Sequence, residues 1–494
     1  DRAVSELLKL EERCVKGRDN IMKCSYFENA KLAQQIAENS MVLLKNENNI
    51  LPLDKKDKVL FVGQLVETSR YQGGGSSNIN TFRLDSMFGS LSDGHFNFDY
   101  LQGYKTKSSE VDEELERSVL NSVPHYENVV LVVGLPDSYE SEGYDRLHMN
   151  LPPNQLHLID EVCKIHKNVI IVLQCGSPVE MPFIGNIKGL LLSYLGGCSA
   201  GHATVNILYG LANPSGHLAE TFPLRLEDNP IKTYPESNLN VYYREGQYIG
   251  YRYYEMAQKK VLFPFGYGLS YSSFAYEKCR FESNTNTIKL IVKNERFMDG
   301  AQVIQVYFMH RQYDRRYIEL KAFEKVFLKT GESKEISFVL KNDFFTQYDA
   351  LSRKFVEYTG EVEVLVGTSC RDFFFNFNHK HEGEMNYLLP EYEIKFDELK
   401  ENRPNVKKHY TINSTPEDIR TCAFGRFLYK ILMKIAKKFT KSNPDLAKAV
   451  ESLAGESPLR FLVIASNGKF SMKQVEGLVD LLNGHFFKGL GKIL

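Results

Sequence analysis

Between residues 55 and 225 the chain alternates short apolar runs with stretches of helical period. Residues 59–63, 96–101, 129–135, 169–174 and 189–195 read as strands. Three of these runs are nearly continuous Val, Ile and Leu, the pattern of strands buried on both faces of a mostly parallel sheet. Helices fit between them, for example over 153–167 and 203–209, so the region predicts an α/β sandwich, a mostly parallel sheet flanked by helices. Functional loops in such a domain lie beyond the carboxyl ends of the strands. Ahead of it, residues 3–10 and 26–46 predict helices. In the second, Ala30, Leu32, Ala33, Ile36, Ala37, Val42 and Leu43 recur near the 3.6 period.

The pattern changes after about residue 270. Apolar–polar alternation over 288–292, 303–308, 325–328, 335–340 and 361–366 is separated by turn signals at Asp299-Gly300, Thr330-Gly331 and Thr359-Gly360. Short alternating strands broken by such turns predict an antiparallel β-sandwich. Residues 381–494 are helical in pattern and mixed in charge. Within them, 420–441 carries seven basic residues and no acidic one, with Phe427, Leu428, Ile431, Leu432, Ile435 and Phe439 in one stripe. That pattern fits a membrane-surface helix; the reading preferred here packs the stripe on the body and leaves the lysines in water. The resulting division is 1–50, 51–262, 263–380 and 381–494.

Composition narrows the function classes. With 494 residues, 43% hydrophobic and 25% charged, the chain can bury several cores. A formal net charge of −1 argues against a nucleic-acid partner, which needs a basic face. No apolar run reaches the 18 or so residues of a membrane span. The first residue is Asp1 and no signal-like segment follows it, so the chain reads as a fragment or processed piece. Its eight cysteines form no CxxC pair and no zinc-ligand spacing. Reduced, buried thiols are the expected state, which favours a reducing, cytoplasmic compartment. Neither a metal nor an organic cofactor is expected.

Three loops carry candidate chemistry. Tyr139-Glu-Ser-Glu-Gly-Tyr-Asp-Arg146 follows the strand at 129–135 and sets two carboxylates, Glu140 and Glu142, two residues apart. A general acid needs a carboxyl whose pKa is raised by burial or by a like charge, and a loop that closes over substrate can supply that. An exposed polar turn has the same composition. Tyr71-Gln-Gly-Gly-Gly-Ser-Ser77 lacks the Lys and spacing of a phosphate loop, so a tight turn or a loop approaching a neutral ligand is expected. Gly196-Gly-Cys-Ser-Ala-Gly201 precedes a helix; an anion at the helix N-terminus and close helix–strand packing both account for it. Ser177 and Ser199 stand outside any GxSxG element.

Together these runs resemble glycoside hydrolase family 3. Asp1-Arg-Ala-Val-Ser-Glu-Leu-Leu8 resembles the end of that family's N-terminal (β/α)8 barrel, and Ala37-Glu-Asn-Ser-Met-Val-Leu-Leu-Lys-Asn-Glu47 with Leu51-Pro-Leu53 the entry to its α/β sandwich. The Tyr71–Ser77 loop, the Glu-Ser-Glu-Gly loop, Leu151-Pro-Pro-Asn-Gln155, Gly176-Ser-Pro-Val-Glu-Met-Pro182 and Asn213-Pro-Ser-Gly216 follow in the family's order. Phe263-Pro-Phe-Gly-Tyr-Gly-Leu-Ser-Tyr271 resembles the lead-in to a fibronectin type III-like domain, with Glu319–Lys325 and Gly331–Lys334 inside it. Leu482-Asn-Gly-His-Phe-Phe-Lys-Gly489 resembles the end of some bacterial members. Leu147 departs from the polar residue usual between the Arg and His of the acidic loop.

The resemblance implies a retaining hydrolase of the β-glucosidase type, acting on an oligosaccharide or aryl glycoside. It implies Glu142 as acid/base, with Glu140 as runner-up, and Tyr71, Gly74, Ser76 and Arg146 bordering or bracing the pocket. The family's Asp nucleophile lies on the barrel, which needs about 250 residues, and only on the order of twenty here match its end. A barrel in cis or as a separate chain is therefore the expected partner, and this chain by itself is expected to be inactive. Self-association stays open. Rival readings are a non-catalytic scaffold or sugar-binding remnant, a xylosidase or arabinosidase, and a nucleotide binder using the glycine loops.

Overall fold

The computed structural model describes residues 1–18, 25–75, 78–142, 146, 148–230, 245–312, 315–389, 409–439, 447–466 and 468–494. Helices α1 (Arg2–Gly17) and α2 (Tyr26–Ser40) lead into strand β1 (Val42–Asn46). Strands β2 (Val59–Val62), β3 (Phe98–Leu101), β4 (Asn128–Gly134), β5 (Val169–Gln174) and β6 (Gly189–Leu192) then alternate with α3 (Met87–Asp93), α4 (Glu113–Ser122) and α5 (Pro153–Ile165). Helix α6 (Ala200–Leu208) follows β6. All six strands join one sheet in the order β1-β6-β5-β4-β2-β3. Neighbours from β6 to β3 are parallel, and β1 closes the edge antiparallel to β6.

The continuous apolar runs are explained by burial on both faces. Val129, Leu131 and Val133 of β4 pack with Val119 of α4 and Leu158, Ile159 and Val162 of α5. The alternate residues Val130 and Val132 pack on the other face with Ala37 of α2, Met87 and Leu91 of α3, and Ala203 and Ile207 of α6. The helix expected over 26–46 stops at Ser40, and residues 42–46 form a strand instead. Val42, Leu43 and Leu44 are all fully buried against β6, and pairing at a sheet edge outweighs the helical period that their spacing suggested.

A short pair, β7 (Phe222–Pro223) with β8 (Val261–Phe263), and helix α7 (Tyr251–Met256) lead to the second domain. It is a β-sandwich. One sheet holds β9 (Ser273–Glu282), β10 (Thr287–Arg296) and β13 (Ser333–Val339); the other holds β11 (Gly300–Gln312), β12 (Arg315–Leu328), β14 (Thr346–Asp349), β15 (Lys354–Ser369) and β16 (Asp372–His381). The turn expected at Thr359-Gly360 lies inside β15. There the strand changes partners, from β14 up to Glu357 to β16 from Gly360 onward, and glycine accommodates the change. Asn213 ties the two domains. It accepts from Tyr271 N–H and Ser270 Oγ and donates to Ser272 Oγ and Asp299 O.

Helices α8 (Pro416–Ile419), α9 (Ala423–Phe439), α10 (Ala447–Glu456), α11 (Leu462–Ala465), α12 (Met472–Leu482) and α13 (Phe486–Ile493) form the C-terminal region around their own small core. The stripe on α9 packs only in part. Leu428 and Leu432 are half-buried, while Phe427 (62%), Ile431 (40%) and Ile435 (50%) are exposed. Among the described residues no helix is long and apolar enough to cross a membrane.

Candidate functional site

The strand order reverses between β2 and β4. From β2 the chain runs to β3 on one side, while β4 lies on its other side. Loops leaving the carboxyl ends of β2 and β4 therefore diverge over a crevice, the usual ligand position in an open α/β sheet. The glycine loop leaves β2 and the acidic loop leaves β4.

Arg70, just ahead of the glycine loop, is the buried cation that joins them; its side chain is 5% exposed. Its Nη1 donates to Leu135 O, and its Nη2 donates to Glu140 O at 2.9 Å. The same Nη2 lies 3.5 Å from carboxylate oxygens of Asp137 and of Glu140. Its backbone N–H donates to Gln174 Oε1 at the end of β5, 2.7 Å away. Gln155 of α5 clamps the end of β4 from the other side, accepting from Gly134 N–H and donating to Gly134 O at 2.9 and 3.0 Å.

Glu140 faces inward. Its carboxylate accepts the Gly176 N–H at 2.9 and 3.1 Å and the Ser177 hydroxyl at 2.5 Å. Together with Arg70, these donors occupy both oxygens. Arg146 lands on the same turn, its Nη2 donating to Pro178 O at 2.6 Å. The acidic loop is thus stapled at Glu140 and at Arg146 to residues 176–178, and Glu142 lies between the two feet, exposed. Burial lowers the pKa of Arg146, with Glu140, Cys175 and Glu220 opposing that.

The glycine loop backs Glu142 directly. Gly75 has φ +84°, and a Cβ there would come within 2.7 Å of Glu142 Oε2; one on Gly74 would meet Ser141 Oγ at 2.7 Å. These glycines serve close loop–loop approach. Tyr71 is half-buried, its hydroxyl accepting from Gln72 Nε2 at 2.8 Å, and its carbonyl accepts the Gly197 N–H at 2.9 Å. Ser76, Gly143, Tyr144, Asp145 and Leu147 lie outside the described residues. Gly75→Ala is expected to displace the Glu142 side chain while costing only about 1 kcal/mol of stability through its positive φ. Thermal melts of the variant beside its activity in the complementation assay described below check this.

The glycines at 196–201 have a packing role. A Cβ on Gly201 would lie 2.4 Å from the Ser86 carbonyl carbon, and the N-terminus of α6 is capped by Asp85, which accepts from Gly201 N–H at 2.8 Å. Glu220 was not singled out by its sequence context. Burial, and then the nearby charge of Glu140, push its pKa up to about 7, with Arg146 opposing. Its charge in turn raises the pKa values of Cys175 and Tyr194, which follow β5 and β6 in the chain and are shifted mainly by burial. A cavity of about 670 Å³ opens beside the acidic loop, lined among others by Tyr139, His148, Asn150, His157 and Phe183. Among the described residues, no group of three or more His, Cys, Asp or Glu is placed to hold a metal ion.

Residues 41–271 match the glycosyl hydrolase family 3 C-terminal domain, and residues 302–370 match a fibronectin type III-like domain. The chain is 35% identical to thermostable beta-glucosidase B of Acetivibrio thermocellus over 98% of its own length and 63% of that protein. It is 36% identical to an exo-alpha-(1->6)-L-arabinopyranosidase of Bifidobacterium breve over 69% of its length and 47% of that protein. Its structure resembles that of a family 3 beta-glucosidase of Bifidobacterium adolescentis, with a TM-score of 0.70 and 32% identity over 82% of this chain and 58% of that one. A beta-glucosidase of Kluyveromyces marxianus, solved in complex with glucose, is similar with a TM-score of 0.67 and 26% identity over 72% of this chain and 62% of that one. The chain thus spans less than two thirds of each of these relatives.

Proposed function

The chain belongs to glycoside hydrolase family 3, and from that premise we propose that it supplies the acid/base half of a retaining β-glucosidase whose nucleophile is carried by a (β/α)8 barrel, in cis or as a separate chain. The observation that carries this reading is the stapled loop: one carboxylate, Glu140, is tied down, and a second, Glu142, two residues further on, is exposed. Glu140 serves as the anchor, because Gly176, Ser177 and Arg70 already occupy its oxygens. Glu142 serves as the acid/base, because it is exposed where a substrate-bearing domain would close over it.

In the first step the Glu142 carboxylic acid gives its proton to the glycosidic oxygen as the C1–O bond breaks, and the barrel's carboxylate bonds to C1. In the second, Glu142 as carboxylate takes a proton from water while the oxygen of that water attacks C1 and the ester bond breaks. This geometry needs the two carboxyls about 5–5.5 Å apart once the barrel is docked. Helix α1 supports the docking. Val4, Leu7, Leu8, Leu10 and Val15 are each more than half exposed, an apolar stripe suited to packing on another helical layer.

The test is hydrolysis of an aryl β-glucoside by the purified chain, by a separately produced barrel, and by the mixture. Activity confined to the mixture is the expected result. Hydrolysis by this chain alone would overturn the split-site reading, and a silent mixture of folded, associated parts would favour the non-catalytic remnant. Parallel assays with aryl β-xyloside and α-L-arabinopyranoside separate the sugar classes, with glucoside expected to be the best substrate.

A further inference from the structure

Helix α9 leaves much of its apolar stripe in water, where packing on the body was expected. Phe424, Phe427, Ile431 and Ile435 are all exposed, and steps of three, four and four residues set them in one row along the helix. The packed side holds Gly425 and Ala436, both buried, with Leu428 and Leu432 half-buried at its border. Lys430, Lys434 and Lys438 each follow an exposed apolar residue by three positions, so they line the other border of the row, and all three are exposed. Nearby cations are matched: Arg420 pairs with Glu417 and Lys437 with Glu451. Among the described residues, Lys430, Lys434 and Lys438 have no carboxylate partner.

We propose that this face of α9 docks on a lipid surface with anionic headgroups, the helix lying in the plane of the interface. The apolar row enters the boundary of the acyl region, and the three lysines reach from their stems to headgroup phosphates. At 17 residues, with a lysine on nearly every turn, the helix lies on a bilayer and does not cross it. Charge separates this occupant from the others. A second copy in symmetric contact would set unpaired lysines against unpaired lysines. A nucleic acid would use the lysines and leave the apolar row in water. The exposed stripe of α1, assigned above to the barrel, lies on a helix of matched charge, where Glu6 pairs with Lys9 and Glu12 with Lys16. Phe486 and Phe487 of α13 are exposed as well, but Lys488 and Lys492 there are paired with Asp480 and Glu476. On α9 an exposed apolar row and unpaired positive charge coincide. This inference is independent of the acid/base reading of Glu142.

The test is flotation of the intact 494-residue chain with vesicles of phosphatidylcholine alone and of equal parts phosphatidylglycerol and phosphatidylcholine. Binding to the anionic vesicles is expected to exceed binding to the neutral ones by roughly tenfold, and to fall as salt rises from about 0.05 to 0.5 M. The double variant Phe427→Ser with Ile431→Ser is expected to lose the anionic binding while keeping the parent's thermal transition, since both positions are exposed. The triple variant Lys430→Glu, Lys434→Glu and Lys438→Glu is expected to lose it as well, which keeps the test decisive should the first variant fold poorly. Binding that survives both variants, or that is equal on neutral vesicles, would overturn the proposal. So would absence of binding. A self-associated form in light scattering, or a complex with the separately produced barrel, that the double variant dissociates would give the row to that partner and overturn the lipid assignment.

Discussion

Glu142→Gln is expected to lower hydrolysis of a poorly activated aryl β-glucoside by 10²–10⁴-fold in the chain-plus-barrel mixture, the range typical of a lost general acid–base. Gln is nearly isosteric but cannot deliver a proton to the leaving oxygen, nor accept one from water. The two steps separate experimentally. With a dinitrophenyl leaving group, which departs without protonation, bond cleavage keeps most of its rate and a burst of released phenol precedes slow turnover. The same substitution is expected to leave thermal stability within about 0.5 kcal/mol, because Glu142 is exposed. A variant that hydrolyses normally would return the role to Glu140 or to another group, and one that unfolds would mean the side chain is part of the scaffold.

Arg70→Ala is expected to give the opposite profile, a large loss of stability that takes activity with it. Removing this 5% exposed side chain takes the Arg70 cation from the Glu140 carboxylate and its donors from the Leu135 and Glu140 carbonyls. Breaking a buried charge pair from one side costs about 3–5 kcal/mol, roughly a 10 °C fall in the first thermal transition for a domain of this size. Calorimetry of the isolated chain makes the measurement without any assay of function. Arg70→Lys keeps the charge but not the fork, so an intermediate loss is expected. An unchanged transition in Arg70→Ala would show that the loop is held without this cation, by the Gly176 and Ser177 donors to Glu140 and by Arg146.

The contrast between these variants shows where legibility in the sequence ends. Both carboxylates lie in one short run after an apolar strand, and their presence on a loop at a carboxyl strand end follows from the run of Val and Leu ahead of them. Nothing within that run distinguishes them. The family resemblance pointed to Glu142, and the physical difference comes from donors far along the chain, at Gly176 and Ser177, 36 and 37 residues from Glu140. Arg70 is illegible for the same reason, since a lone arginine beside a glycine run carries no local sign that it will be buried among carbonyls of another loop.

What the sequence determined by itself is whatever depends on periodicity and backbone allowance. Runs of Val, Ile and Leu specify strands buried on both faces, since each residue in the run must find apolar surface on its own side of the sheet. Alternation after residue 270 specifies the sandwich, and Gly74 and Gly75 mark a place where another chain segment comes too close for a side chain. Only the tertiary structure decided that residues 42–46 join the sheet, that Glu140 is held while Glu142 is exposed, and that burial raises the pKa of Glu220. Periodicity is a local property of the chain, readable within a few residues. Burial, hydrogen-bond saturation and the pKa of a carboxyl are set by whichever distant segments fold against it, and those meet only once the strand order is in place.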